Sequence, residues 1–363
     1  MASPMNIHLR PVWRFGKDKD RELDYMLLAL LEAIEQSGKL TQAARAAGFS
    51  HRHAWNLIES WSAFLGAPLV VIERGRGTQL SELGAKLLWA GRRAKARLEP
   101  ELENLAAELA HSLQETRGVQ AAVLRIRASH DFALPRLRQL VAKTRGFAID
   151  LRYRGSVEAL ASLRRGHCDF AGFHVTEGPL GRAAADRYGE ALGADAHRLI
   201  WMATRVQGLI VAPGNPRSIR QVGDLAREGM RFVNRQRDSG TRLLLDQLLK
   251  EAHVDPAAID GYETEEHTHA AVAAHVAGGS ADAGLGIEAA AAQFELGFVP
   301  LATERYFLAA HRDTLEKPAA KLLVGLLRGD AFHDVITELH GERVHRTGEI
   351  TALRDTAPWS ELI

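Results

Sequence analysis

Several features are scarce or missing in this chain of 363 residues, and each absence narrows what the protein can be. A single cysteine, Cys168, excludes an internal disulfide framework and any metal site built from several thiolates. Aromatic residues are only 6% of the chain, which leaves little material for stacking sugars or unpaired bases. No apolar run approaches the roughly 20 residues of a membrane span, and Met1–Gly16 has no apolar segment typical of a secretory signal. We therefore expect a cytoplasmic protein that does not enter a membrane.

What is present is a globular composition with uneven charge. The chain is 46% hydrophobic and 25% charged, and its length suits two or three domains. The formal net charge is only +1, yet residues 38–98 hold ten basic and three acidic side chains. This local surplus could be a solvated face, but it also suits binding to the phosphates of nucleic acid.

The basic region has the pattern of a winged helix-turn-helix. An apolar stripe over Leu27–Ile34 and an alanine-rich segment, Thr41–Ala47, predict two helices, and Gly48–Ser50 predicts the turn. A third helix is expected over His51–Leu65, placed to enter a major groove. Strands at Leu69–Ile72 and Gln79–Leu80 would then enclose a basic wing, residues 73–78, whose two arginines can reach phosphates or a narrow minor groove.

These segments resemble the N-terminal domain of ModE-type and LysR-type bacterial transcriptional regulators. The matching motifs are Gly38–Ala44, His53-Ala54-Trp55 and Arg74–Gly84, and the His-Ala-Trp triplet with the RGRG wing favours the ModE type. The resemblance implies that the start of the third helix contacts DNA. The candidate DNA-binding residues are Thr41, Gln42, Ser50, His51, Arg52, His53, Asn56, Arg74 and Arg76.

A long helical pattern follows from Ser81 to Leu113. Its narrow leucine stripe, spaced by three and four residues, suits pairing with a second copy of the chain, although packing against the second domain is the alternative. Pro100 lacks a backbone donor and is expected to kink or split the helix near Glu99. The stripe consists of Leu98, Leu102, Leu105, Leu109 and Leu113.

After residue 118 short apolar strands alternate with helices. This rhythm predicts a largely parallel sheet covered on both faces. We expect an α/β protein overall: a winged helix-turn-helix DNA-binding domain over 1–80, a linker and dimerisation helix over 81–118, and a two-lobed type II periplasmic-binding-protein-like domain over 119–363. Lobe I would comprise about 119–205 and 296–345, and lobe II about 206–295.

Hydroxyls, histidines and an arginine stand where the predicted strands end and helices begin. Ligands of open α/β sheets bind at this edge, and helix N-termini favour negative charge. Each serine or threonine taken singly could be an N-cap only. Together they predict a pocket for a small anion, with candidate residues Ser129, His130, Ser156, Asn234, Arg235, Ser239, Thr241, Thr268 and His269.

This half resembles the periplasmic-binding-protein-like domain of molybdate- and tungstate-related proteins and of ModE-type regulator fusions. The matching stretches are Leu209–Pro216, Arg231–Arg242 and Ala281–Gly286. The resemblance implies an effector domain that closes around formate, molybdate, tungstate or a molybdenum-cofactor species. It also implies control of a molybdoenzyme operon such as that of formate dehydrogenase.

Other chemistry is weakly indicated. Gly284–Ala289 imitates a dinucleotide fingerprint, but it lies far from a first β-α-β unit. His267, His269 and His275 do not have the spacing of a zinc helix. An enzyme would need a general base over the cleft, for which His130 and His269 are the candidates. We expect no catalytic activity, no cofactor and no metal.

The sequence thus predicts a one-component transcriptional regulator that senses a small anion. Its expected partners are a double-stranded DNA operator, the anion, further copies in a homodimer or homotetramer, and RNA polymerase. The alternative is a solute-binding protein of the transport type without a regulatory role.

Overall fold

One long helix contains the boundary between two units of the chain. The computed structural model describes residues 7–16, 21–23, 25–73, 77–116, 122–193, 195–237, 239–356 and 359. The N-terminal unit comprises Arg10–Leu98, and the C-terminal unit comprises Glu99–Ile363 together with residues 7–9.

The N-terminal unit is a winged helix-turn-helix. Its elements are β1 (Trp13–Phe15), β2 (Arg21–Leu23), α1 (Tyr25–Ser37), α2 (Leu40–Ala46), α3 (His51–Leu65), β3 (Val70–Glu73), β4 (Gly77–Leu80) and the start of α4 (Glu82–Thr116). The three expected helices and the β3–β4 hairpin are present, whereas the sequence did not predict the antiparallel β1–β2 hairpin. The wing arginines Arg74 and Arg76 lie outside the described residues.

Small and large apolar side chains lock the three helices together. Ala43, Ala44 and Ala54 are buried where the helices cross, and Trp61 is 1% exposed. Gly48 turns the chain between α2 and α3 with φ of 76°, a conformation that a β-carbon disfavours. Ser50 then caps α3 by accepting a hydrogen bond from the His53 amide at 3.2 Å.

Helix α4 runs without interruption through Pro100. Of the two expected outcomes at Pro100, the split is therefore wrong, and the kink stays a prediction. Proline removes one backbone donor, but the bonds of the neighbouring residues keep the helix continuous.

The C-terminal unit is an α/β fold with one ten-stranded sheet. Along the chain its strands are β5 (Ala122–Ala128), β6 (Phe147–Tyr153), β7 (Phe170–Thr176), β8 (His197–Val211), β9 (Phe232–Arg235), β10 (Glu265–Glu266), β11 (Ala283–Ile287), β12 (Gly297–His311), β13 (Glu342–Arg343) and β14 (Ile350–Ala352). Its helices are α5 (Ala133–Lys143), α6 (Ser156–Arg164), α7 (Arg182–Gly189), α8 (Gly240–Glu251), α9 (His269–Ala277), α10 (Glu288–Gln293), α11 (Arg312–Leu315), α12 (Pro318–Arg328) and α13 (Asp330–Glu338).

The sheet combines two groups of parallel strands with two long antiparallel ones. The strand order is β10-β9-β11-β8-β12-β7-β5-β6, with β13 and β14 also paired to β8. β5 is parallel to β6 and β7, and β9 is parallel to β10 and β11. The 15-residue strands β8 and β12 pair antiparallel with each other and with the strands beside them. The expectation of a largely parallel sheet therefore holds for the β-α repeats and is wrong for the centre.

Each half of the sheet has apolar packing on both faces. Around β5–β7 one face packs against α5 and α12, through residues such as Leu137 and Leu323, and the other against α6, through Leu160. Around β9–β11 the corresponding contacts come from Leu245 of α8 and Val272 of α9. The strands β8 and β12 run through both halves of the sheet, and the expected boundaries of the two lobes stay a prediction.

Candidate functional site

The N-terminal unit presents a polar, exposed surface at the start of α3. Thr41 and Gln42 of α2, Ser50, and His51, Arg52, His53 and Asn56 of α3 are all exposed. His53 packs its ring beside Phe49, with centroids 4.9 Å apart. The sequence-predicted residues of this region are therefore available to a partner, while their contact with DNA stays a prediction.

A second candidate site is a cavity of about 260 Å³ in the C-terminal unit. It lies where the strands that carry β-α connections end. Ser156 begins α6, Ser239 caps α8 by accepting from the Arg242 amide at 3.1 Å, and His269 begins α9. Three helix N-termini therefore contribute residues to one cavity, and their partial positive charges favour an anion.

Seven of the nine predicted ligand residues line this cavity. They are Ser129, His130, Ser156, Arg235, Ser239, Thr241 and His269. The lining does not include Asn234 or Thr268. The Asn234 amide instead donates to the Tyr262 carbonyl at 3.0 Å, and the Thr268 hydroxyl caps α9 by accepting from the Ala271 amide at 2.9 Å.

Arg235 supplies a buried positive charge to the cavity wall. Its side chain donates from Nε to the Gln236 side chain and the Glu266 carbonyl, and from Nη2 to the His267 carbonyl. Its Nη1 has no hydrogen-bond partner within the described residues, although Arg235 is only 5% exposed. Burial, together with the nearby Arg205 charge, lowers the pKa of Arg235 to about 9, so it is cationic at neutral pH. A buried donor of this kind favours an acceptor from outside the chain.

Arg205 has the opposite arrangement, because carboxylates surround it. Its Nη1 lies 3.0 Å from Asp131 Oδ2, and its Nη2 lies 2.9 Å from Glu304 Oε2. Gln207 joins this network by donating to Glu304 Oε2 at 3.0 Å and to the Thr241 hydroxyl at 2.9 Å. Burial alone would raise the pKa of Asp131, but the His174 hydrogen bond and the Arg205 charge lower it to about 2. Arg205 is thus bonded to two carboxylates, and Arg154, which also lines the cavity, lies 3.3 Å from Glu158 Oε1. Among the described arginines of the lining, Arg235 is the one whose hydrogen bonds go only to carbonyl oxygens.

Two histidines beside Arg235 are held neutral. Burial and the Arg235 charge lower the pKa of His130 to about 4 and that of His269 well below its usual range. The Nδ1 atoms of both rings have no hydrogen-bond partner in the described part of the chain. Neutral imidazoles can donate or accept one hydrogen bond at each nitrogen, so they can orient an anion without adding charge.

His174 also belongs to the cavity wall. Its Nε2 lies 3.3 Å from the acceptor Asp131 Oδ2, which places the proton on Nε2 and lets Nδ1 accept from the Ser129 hydroxyl at 2.8 Å. Its ring stacks on Tyr306 with centroids 4.0 Å apart. His174 therefore fixes the orientation of Ser129.

Sequence reasoning missed the lining residues that come from the long strands and from α4. Arg205 and Glu304 lie within β8 and β12 rather than at strand ends, and Pro100, Glu101 and Asn104 come from α4. A usable signal was present in β8, where Arg205 and Gln207 alternate within an apolar strand and so point to one face.

Within the described residues, no group of three or more His, Cys, Asp or Glu side chains could hold a metal ion. No described helix has the length and apolar character needed to cross a membrane.

Comparisons with known proteins identify one family and several relatives. The family model for the PBP superfamily domain matches residues 137–328, just over half of the chain. The uncharacterized protein YvgK of Bacillus subtilis is 31% identical over 199 residues, covering 55% of this chain and 64% of YvgK. The molybdenum transport protein ModE of Azotobacter vinelandii is 31% identical over 86 residues, which are 23% of this chain and 32% of ModE. The chain therefore spans less than two thirds of either relative. Among solved structures, a mutant OxyR of Corynebacterium glutamicum with bound H2O2 aligns with 86% of this chain and 93% of its own chain. The two sequences are 16% identical, and the TM-score is 0.44.

The depressed pKa values of His130 and His269 make the stability of the C-terminal unit depend on pH. The unfolded chain takes up these protons near pH 6.5, whereas the folded chain takes up the His130 proton only near pH 4. The free energy of unfolding should therefore fall as the pH drops from 6.5 towards 4, by up to about 1.4 kcal/mol per pH unit for each histidine. Urea unfolding followed by circular dichroism at several pH values measures this slope.

The double variant His130→Gln/His269→Gln should flatten this dependence, and the exposed His167→Gln variant should keep it. Equal slopes in the wild type and the double variant would show that neither histidine is held neutral. Below pH 4 the protonation of Asp131 should lower the stability of both proteins further, because its carboxylate titrates only near pH 2 in the folded chain.

Proposed function

Since the chain belongs to the family of the PBP superfamily domain, we propose that its C-terminal unit binds a small anion and that the whole chain is a one-component, DNA-binding transcriptional regulator. The observation that carries the anion proposal is the buried Arg235, whose Nη1 has no partner among the described residues. The helix starts at Ser156, Ser239 and His269 add further donors to the same cavity.

Several anions fit this arrangement. The candidates are formate, molybdate, tungstate and a molybdenum-cofactor species, and the regulated gene would encode a molybdoenzyme such as formate dehydrogenase. Formate and molybdate are both smaller than the cavity of about 260 Å³, so water or a further closing of the cavity would accompany either ion. The ModE name of one relative supports molybdate or tungstate as the first ions to test.

The DNA-binding part of the proposal rests on the N-terminal unit. Its winged helix-turn-helix exposes Arg52, His53 and Asn56 at the start of α3, the part of a recognition helix that contacts base edges. The local surplus of basic residues supplies the charge that phosphates require.

An assembly of two chains would present two recognition helices to a palindromic operator, and an assembly of four chains would present four. Leu105, Leu109 and Leu113 of α4 are 45–47% exposed in the isolated chain, and their spacing suits helix pairing. Ligand can change DNA binding only if it binds one arrangement of the chains more tightly than another. The proposal therefore includes a homo-oligomer in the cytoplasm, DNA as a partner, and contact with RNA polymerase at the promoter.

Replacing Arg235 should abolish the response to anions. Sodium molybdate, tungstate or formate at about 100 times its dissociation constant should stabilise the wild type by about 2.7 kcal/mol, seen as a rise in Tm. Arg235→Ala should show no such rise, because it lacks the buried cation. Arg237→Ala is the matched control, since this side chain is 72% exposed and lies outside the lining. A full response in Arg235→Ala would place the anion elsewhere.

Replacing Arg52 should weaken DNA binding and leave the anion response intact. We expect a loss of about tenfold or more in affinity for the promoter region of the chain's own gene, from a contact worth about 1–3 kcal/mol. Electrophoretic mobility shifts at fixed salt measure this loss, and thermal shifts measure the anion response. Arg220→Ala removes one exposed cation from the C-terminal unit and should bind DNA normally.

The wild type also decides between the two candidate functions. If it binds anions but shows only non-specific, salt-sensitive DNA binding, the chain is a solute-binding protein without a regulatory role. Equal loss of DNA binding and of anion response in Arg52→Ala would mean that Arg52 is structural.

A further inference from the structure

The strand β6 lies at the free edge of the sheet in the C-terminal unit. An edge strand leaves backbone donors and acceptors without strand partners. At Tyr153 these groups are used by the side chain of Asn104, which belongs to α4. The Tyr153 amide donates to Asn104 Oδ1 at 2.7 Å, and Asn104 Nδ2 donates to the Tyr153 carbonyl at 3.2 Å. One carboxamide thus supplies the pair of hydrogen bonds that a neighbouring strand would supply.

The same backbone segment leads directly into the cavity. Arg154 and Gly155 connect Tyr153 to Ser156, the first residue of α6, and all four residues line the cavity. The Tyr153 ring also lies beside the His130 ring, with centroids 5.0 Å apart. Asn104 lines the cavity as well. It therefore borders the space for a ligand and also bonds to the end of β6, three residues before Ser156.

Other contacts hold α4 to the same lobe without reaching the cavity. Glu103 forms an ion pair with Arg138 of α5 at 2.9 Å, and Glu108 lies 3.7 Å from Arg152 of β6. Glu103 and Glu108 are absent from the lining. Asn104, by contrast, lines the cavity and also forms hydrogen bonds to both the amide and the carbonyl of Tyr153.

We propose that Asn104 is a positioning residue that couples anion binding to α4, the helix whose first part belongs to the DNA-binding unit. This inference rests on the proposed function. An anion that contacts Ser156 and Arg235 fixes the segment from Tyr153 to Ser156 relative to the opposite lobe. Because Asn104 bonds to both backbone groups of Tyr153, α4 must follow this segment or lose both hydrogen bonds. Asn104 therefore transmits the effect of anion binding to α4, although it does not itself supply a charge that binds the anion.

The test compares the full-length wild type with Asn104→Ala and Glu108→Gln. Anion affinity is measured by calorimetry with sodium molybdate and with sodium formate, and DNA affinity is measured with and without each salt. In the wild type we expect the anion to change DNA affinity about 5- to 150-fold, the usual range of such coupling. In Asn104→Ala this ratio should fall to within about twofold of one, while Glu108→Gln keeps the wild-type ratio.

A merely structural role for Asn104 would lower stability without changing this ratio, so a retained ratio in Asn104→Ala overturns the inference. Equal loss in Glu108→Gln also overturns it, because any loosening of α4 would then be sufficient. If the wild type binds neither salt, or binds no DNA specifically, the proposed function itself fails, and that failure is visible before any variant is used.

Hydrogen exchange in the wild type keeps the inference testable even if Asn104→Ala does not fold. Anion binding should slow exchange of the Tyr153 amide about tenfold or more, because its acceptor is the Asn104 side chain. An unchanged rate at Tyr153 in the presence of a bound anion overturns the inference.

Discussion

The burial of one guanidinium without a carboxylate of its own is the constraint on which the proposed site depends. Arg235 donates to two backbone carbonyls and to the Gln236 side chain, and its Nη1 has no partner within the described residues. The charges of Glu304 and Glu266 partly offset the effect of burial and of Arg205, yet the pKa of Arg235 is lowered to about 9. A buried charge is costly when it is unpaired. Here Asp131 and Glu304 bond directly to Arg205, whereas the carboxylates of Glu304 and Glu266 act on Arg235 through their charge, without a carboxylate hydrogen bond to it among the described residues. An external anion would complete the arrangement, and this is the physical reason for treating the cavity as a receptor.

The fold brings these groups together by two different means. The β-α repeats place serine hydroxyls and helix N-termini at strand ends, as the position of Ser156 and Ser239 shows. The long strands β8 and β12 add Arg205 and Glu304 from within the sheet. Both strands run through the two halves of the unit, so the halves share one continuous sheet. A ligand bound to Ser156 of one half and to Arg235 of the other would therefore connect the two halves. Asn104 extends this connection to α4.

Local patterns predicted much of this structure. Helix α3 begins and ends where the apolar spacing and the Gly48–Ser50 turn place it, and the strand ends around Ser129, Ser156 and Ser239 meet in one cavity. The patterns did not predict the features that depend on pairing between segments far apart in the sequence. Three features depend on which distant segments become neighbours. They are the antiparallel pairing of β8 with β12, the contact of Arg205 with Glu304 about a hundred residues away, and the hydrogen bonds between Asn104 and Tyr153. Asn234 and Thr268 were correctly placed near strand ends, yet their side chains bond to the protein itself.

The central claim is that a small anion occupies the cavity at Arg235. The most direct measurement is a pair of crystal structures of the full chain, one with sodium tungstate and one with sodium formate. The account predicts electron density for an anion about 3 Å from Arg235 Nη1, with a tungsten anomalous peak if tungstate is the ion bound. An empty cavity in both crystals, or anions only on exposed lysines and arginines, would contradict it.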